Sequence, residues 1–162
     1  MSRHRHEYDL ALRWTGNTGS GTGTYGGYAR DHEVTVPGVT TLFGSSDPAF
    51  RGDPTRVNPE QLLVAAVAQC HLLTYLHLAV RHGLVVTSYD DRPHGVMVTA
   101  PDGSGQFEQI VLRPRVTIAS NDSGDADRAA RLHAEVGDFC FIARSVNFPI
   151  HHQPVVSLAP PG

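Results

Sequence analysis

"NPEQLLVAAVAQCHLLTYLHLA", residues 58–79, decides how this chain is read. Asn58 can cap a helix, Pro59 suits the first helical position, and Gln61 stands where a capping box places Glu or Gln. Gly83 can end the helix, with Arg81 and His82 in its last turn. The spacing predicts about 24 residues of helix, about 36 Å at 1.5 Å per residue. Its middle is apolar on nearly every side, and such a helix must be buried all round. In a chain of 162 residues that implies either a helix wrapped by sheets or a surface shared between subunits. A single thiol, Cys70, rides on this helix and is followed at once by His71.

Outward from the helix, "EYDLALRWT" (7–15) and "HEVTVPG" (32–38) read as strands around the glycine-rich turn "GNTGSGTGTYGG" (16–27). That turn lacks the lysine of a phosphate loop. Residues 41–57 carry three turn signals and read as a long loop, which in a compact domain is often functional. Residues 84–100 and 107–119 carry β-branched residues on both sides of "PDGSG" and read as a hairpin or meander. Residues 120–138 hold a short polar helix with Ala129, Leu132 and Val136 inward, and "NFPIHHQPVVSLAP" reads as a last strand. Strands, a long helix, more strands and short helices make the class α+β.

Composition narrows the function. A net charge of −3 with 16 acidic and 13 basic residues, every one of the latter an arginine, implies no basic face and hence no nucleic-acid partner. The opening residues lack the apolar core of a signal peptide, and the apolar run 62–68 is too short to span a bilayer. The expectation is a cytoplasmic protein without a membrane partner, where two cysteines stay reduced and are either inert core residues or reactive thiols. If Asp138 caps a helix after Gly137, Cys140 falls in its first turn with Arg144 on the same face, where a thiolate is favoured. Glu60 suits the first turn of the long helix whatever its role. It is ten residues from Cys70, about 15 Å along the axis and about 80° around it, so the two cannot touch within one helix. A carboxylate could act on the thiol only through a long arginine or from a partner subunit.

Ten histidines raise the question of a metal. His71 and His77 lie on different helix faces, and His151 and His152 point opposite ways on a strand, so no ligand pair has the usual spacing. Neither a metal nor a cofactor is expected. His71 diverges from Cys70 by about 100° and cannot easily serve it as a base, which weakens a Cys-His hydrolase reading.

"NPEQLLVAAVAQC", a second cysteine about seventy residues on, and the segments "RDHEV", "SSDPAFRGDP" and "CFIARSVNFPI" resemble the OsmC/Ohr family, in an OsmC-like branch, over roughly residues 7–158. The resemblance implies a single OsmC-like domain over 1–162. It implies an intertwined α+β homodimer with a long central helix packed against antiparallel sheets. It also implies a thiol peroxidase acting on organic hydroperoxides. Cys70 would be the peroxidatic thiol and Cys140 the resolving thiol. A Cys70–Cys140 disulfide would be reduced by a dithiol such as a lipoylated protein. Glu60 would hold an arginine beside Cys70. In the organic-hydroperoxide resistance subgroup that arginine lies in the N-terminal glycine-rich turn; here the turn has none, so Arg30 or Arg51 would replace it. The rival expectation is a non-catalytic protein binding a small hydrophobic ligand in the same dimer pocket.

Overall fold

The computed structural model describes residues 4–161. The long helix α1 spans Pro59–Arg81, and both of its ends form as the sequence predicts. The Asn58 side chain accepts the Gln61 N–H at 2.8 Å and the Gln61 side chain accepts the Asn58 N–H at 3.1 Å, a reciprocal capping box. At the other end Gly83 takes φ 68°, a left-handed turn that only glycine adopts without strain. The turn lets the Leu84 N–H reach the Ala79 carbonyl at 2.9 Å.

Internal packing distinguishes two compact units, one up to Leu62 and one from Leu63 onward. In the first, strands β1 (Ala11–Trp14), β2 (His32–Thr35) and β3 (Leu42–Gly44) form an antiparallel sheet in that order. The segment read as a loop thus contributes β3 and a 3-10 turn, Pro48–Phe50. Gly16 is required where the glycine-rich turn leaves β1, because a Cβ there would fall 1.9 Å from the Ala29 carbonyl oxygen.

The second unit carries two mixed sheets. β4 (Val86–Asp90) pairs antiparallel with β7 (Arg115–Ala119), and β5 (His94–Thr99) pairs antiparallel with β6 (Gly105–Leu112). Pro93 and Pro114 stand at the two breaks between these pairs, where a residue without an N–H cannot continue a ladder, so one long hairpin divides between two sheets. The last segment is two strands, β8 (Ile150–His152) and β9 (Val155–Ala159), separated at Pro154. They add in parallel to β6 and β7, so the sheets are mixed rather than purely antiparallel.

Helix α2, Gly124–Phe139, buries Ala129, Leu132 and Val136 as its periodicity predicts, and also His133. These side chains join Tyr75, Leu78 and Ala79 of α1 and Val116 and Ile118 of β7 in one core. A second core gathers Val67, Ile110 and Leu112 with Phe107 and Phe148 at its edge. Burying each valine, leucine or isoleucine of these cores contributes about 1.5–3 kcal/mol.

Within one chain α1 is covered on one side only, which leaves its other face for the shared subunit surface that the sequence offered as an alternative. Val67, His71, Tyr75 and Leu78 are buried along one stripe, while Leu73 and Val80 on the opposite face are 66% and 78% exposed. By length and composition α1 could cross a membrane, although the run 62–68 alone could not. Here its buried stripe is a seat in a protein core, with two aromatic polar rings in it.

Candidate active site

The site grows from the flank of α1 between its two faces. Cys70 is half-buried there and lines a cavity of about 700 Å3 formed within the second unit. Leu73, Phe139, Phe141 and Ile142 give that cavity apolar walls, and Arg144, Asp138 and His77 give it polar groups. Behind Cys70 lies Cys140, 1% exposed and packed in the core that Cys70 borders. Both thiols are free. Burial pushes the Cys140 thiol up to about 11, and the Cys70 sulfur beside it, placed to take its hydrogen bond, pushes the same way. The Ala143 N–H, 3.4 Å from the Cys140 sulfur, opposes this.

The surroundings of Cys140 correct the reading of its segment. Gly137 and Asp138 do not separate two helices. They lie inside α2, and Cys140 is the residue that ends it, in extended conformation with its N–H on the Val136 carbonyl. A Cβ on Gly137 would meet nothing within 4 Å, so this glycine marks no break. The expected effect of a helix start survives in small form, since the Ala143 N–H does point at the sulfur. Burial outweighs it, and Cys140 keeps its proton. Arg144 belongs to a 3-10 turn, Ala143–Ser145, and its guanidinium donates to the Asp138 carbonyl at 3.3 Å.

The remaining candidates lie in the first unit. Glu60 has one carboxylate oxygen buried without a hydrogen-bond partner, and no ion pair reaches it among the described residues. The Arg30 guanidinium donates to the Tyr28 and Tyr25 carbonyls at 2.6 and 2.7 Å and lies 4.1 Å from the centre of the Tyr28 ring. Arg51 follows the 3-10 turn at φ 66°, a conformation unusual for a residue with a Cβ, and its guanidinium lies 6.0 Å from the Tyr25 ring. Arg56 pairs with Asp31 and Asp53 at 3.4 and 3.5 Å. Arg30 and Arg51 thus share Tyr25, but neither bonds Glu60.

Sequence reasoning missed the other side of α1. His71 turns away from Cys70 into the core, where its Nε2 lies 2.8 Å from Nδ1 of His133. The rings of His71 and His152 stack at 4.6 Å, and Tyr75 lies over His133 at 4.1 Å. Burial, reinforced by the neighbouring histidines, depresses His71 to about 3 and His133 to about 4. His152 is lowered by the same causes, with His151 as the neighbour. Nε2 of His133 has no partner. The only signal in sequence was the face itself: His71 is one of the positions that repeat with Val67, Tyr75 and Leu78. Among the described residues no group of three or more His, Cys, Asp or Glu side chains is placed to hold a metal ion.

A family model described as OsmC-like protein matches residues 52–154. The chain is 24% identical over 143 residues to the uncharacterized protein YmaD of Bacillus subtilis (strain 168), covering 87% of each. An OsmC-like protein of unknown function from Vibrio cholerae superposes with a TM-score of 0.81 at 26% identity, covering 93% of this chain and 100% of that one. An organic hydroperoxide resistance protein OsmC from Legionella pneumophila superposes with a TM-score of 0.64 at 15% identity, covering 96% and 99%. One from Elizabethkingia anophelis gives 0.62 at 14%, covering 96% and 100%. At those last two identities the likeness is one of fold.

Proposed function

The chain belongs to the family of OsmC-like proteins, and from that premise we propose that it is a thiol peroxidase that reduces organic hydroperoxides. The observation that carries the reading is the pair of sulfurs. Cys70 faces an apolar cavity and Cys140 lies behind it, touching it and closed to solvent. The Cys70 thiolate attacks the distal oxygen of R–O–O–H. The O–O bond breaks, Cys70 becomes a sulfenic acid, and the alkoxide takes a proton and leaves as alcohol. Cys140 then attacks the sulfenic sulfur. Its proton departs with the hydroxyl as water, and a Cys70–Cys140 disulfide remains. A dithiol, such as a protein-bound lipoyl group, supplies the two electrons and two protons that restore both thiols. The half-buried thiol takes the peroxide because it is the one the cavity reaches.

A thiolate in an apolar cavity needs a cation or donors beside it. Mid-helix N–H groups of α1 are already paired. Arg144 lines the same cavity as Cys70 and is the cation of that site. Glu60 with Arg30, or with Arg51, is the second source of charge, brought to Cys70 by a partner subunit. The cytoplasm, where dithiols are kept reduced, is the compartment that suits such a cycle.

The test is intact mass after one equivalent of an alkyl hydroperoxide, followed by thiol alkylation rate against pH. Loss of two hydrogens is the expected outcome in the parent chain. Arg144→Ala is expected to slow Cys70 alkylation at neutral pH about tenfold; Arg30→Ala and Arg51→Ala measured beside it apportion the charge. A parent chain that keeps its mass would sink the peroxidase reading. The apolar cavity of about 700 Å3 would then favour a protein that binds a small hydrophobic ligand without chemistry.

A further inference from the structure

The peroxidase reading uses Cys70 and Cys140 but leaves unexplained the histidines packed behind them. His71 is the residue after Cys70 on α1. His133 precedes Cys140 by seven residues on the chain, two helical turns, and so lies on the same face as the end of α2. The 2.8 Å bond between these two rings is therefore a direct link between the helix that carries one thiol and the helix that ends on the other. His71 is 2% and His133 1% exposed. We infer that the His71–His133 pair is an acid-sensitive pin that sets the register of Cys70 against Cys140, and that protonation of the pair frees the Cys140 segment. The inference rests on the peroxidase reading only in taking these two cysteines as the working pair.

The chemistry of the pin follows from imidazole. A neutral ring has one N–H and one bare nitrogen, so the pair holds together with one donor and one acceptor. A proton added to the acceptor ring opposes two N–H groups at the bond. A proton added to the donor ring leaves a buried cation whose outer nitrogen, if that ring is His133, has no partner. The groups facing the pair give no relief. From α1 comes Tyr75, whose hydroxyl is committed to the Ala129 carbonyl at 3.2 Å. From β8 comes His152, stacked on His71, with His151 exposed on the other side of the strand. From β4 comes Tyr89, and after it Asp91, whose charge acts on Tyr89. The charges that act on the two imidazoles are those of the other histidines, and no carboxylate holds a proton on either.

The direction of the pH effect is then fixed. The packed rings prefer to be neutral, with folded values of about 3 for His71 and about 4 for His133 against an ordinary 6.5. An opened segment binds protons that the packed one refuses. The packed form is therefore fully favoured above about pH 6.5. Below that the open population rises about tenfold per pH unit for each histidine released, until the packed rings themselves titrate. A drop from pH 7 to pH 5 is therefore expected to raise the open population of the Cys140 segment at least tenfold.

The experiment reads Cys140 alone, in a Cys70→Ser background, as its labelling rate with dithiodipyridine relative to that of the urea-unfolded chain at the same pH, a ratio that cancels the loss of thiolate in acid. Far-UV circular dichroism is recorded at each pH to mark global unfolding. Cys140 is expected to be protected at pH 7 and to gain at least tenfold in relative labelling rate at pH 5, while the circular dichroism is unchanged. His133→Phe keeps a planar ring under Tyr75 without a titrating group, and His133→Gln keeps a donor. Both are expected to keep a relative labelling rate at pH 5 within about threefold of their own at pH 7. A parent profile as flat as those of the two variants overturns the inference, as does labelling that rises only together with loss of circular dichroism. Should the parent chain consume no hydroperoxide yet show this profile, the peroxidase reading fails and the pin stands.

Discussion

At the scale of single residues, environment separates two chemically identical thiols. Cys70 has a cavity in front of it. Cys140 has core on every side and is pushed up to about 11. Their variants should therefore fail differently. Cys70→Ser is expected to consume no hydroperoxide. Cys140→Ser is expected to gain a single oxygen by mass, one per chain, and then to stop, because no second thiol is present to displace it. Turnover by Cys70→Ser with a dithiol reductant would reverse the assignment. Tyr75 tests the packing behind the thiols. Its hydroxyl is buried, its ionisation is pushed up to about 12 by that burial, and it donates to Ala129 at 3.2 Å. Tyr75→Phe removes one buried hydrogen bond at nearly constant volume, and should lower stability by about 1 kcal/mol in denaturant titration. That His71 turns away from Cys70 was legible, because one residue on a helix is a fixed rotation. That it meets His133, 62 positions away, was not, because no local spacing encodes a contact between two helices.

At the scale of elements, ends were easier to read than faces. Asn58, Gln61 and Gly83 act within one turn of themselves, and the structure forms the cap and the left-handed stop that they imply. Asn58→Ala should cost about 1 kcal/mol, visible as a fall of a few degrees in thermal midpoint. Asn58→Ser should recover most of it, since a hydroxyl can accept the same N–H. Faces were harder because α1 is apolar nearly all round, so hydrophobicity carries no phase. The buried stripe contains His71 and Tyr75, and the exposed one contains Leu73 and Val80. The Cys140 segment was misread for a related reason. Gly137 followed by Asp138 looks like a stop and a new cap, but a glycine in a helix interior costs only about 1 kcal/mol, and the buried Leu132, His133 and Val136 carry α2 past it. The strand breaks at Pro93, Pro114 and Pro154 were not read from the sequence, which offered one hairpin or meander and a single last strand. Nor was it legible that β8 and β9 return in parallel beside β6 and β7, because parallel pairing across a long connection leaves no local pattern.

At the scale of the whole molecule, the question is what covers the apolar surface that each unit leaves open. In the second unit Leu73, Val80, Phe139 and Phe141 are all at least half exposed, Phe141 at 80%. Soluble monomers scatter such residues singly, and groups of them mark interaction surfaces. Leu73, Phe139 and Phe141 also line the cavity of Cys70, so water has access to a site whose chemistry gains from dryness. A second copy of the chain laid on this face would remove both costs, as the homodimer implied by the resemblance requires. The expected particle has twice the 17.5 kDa of one chain and an interface above about 2,000 Å2, the scale of obligate pairs. Leu73→Arg places a charge on the exposed face of α1 without touching its buried stripe. It is expected to shift sedimentation toward the monomer at micromolar concentration and to slow the reaction of Cys70 with hydroperoxide, while far-UV circular dichroism stays unchanged. A parent chain that sediments as a monomer at that concentration would mean that the open face of α1 is an entrance rather than an interface, and that the cavity reaches Cys70 without help from a partner.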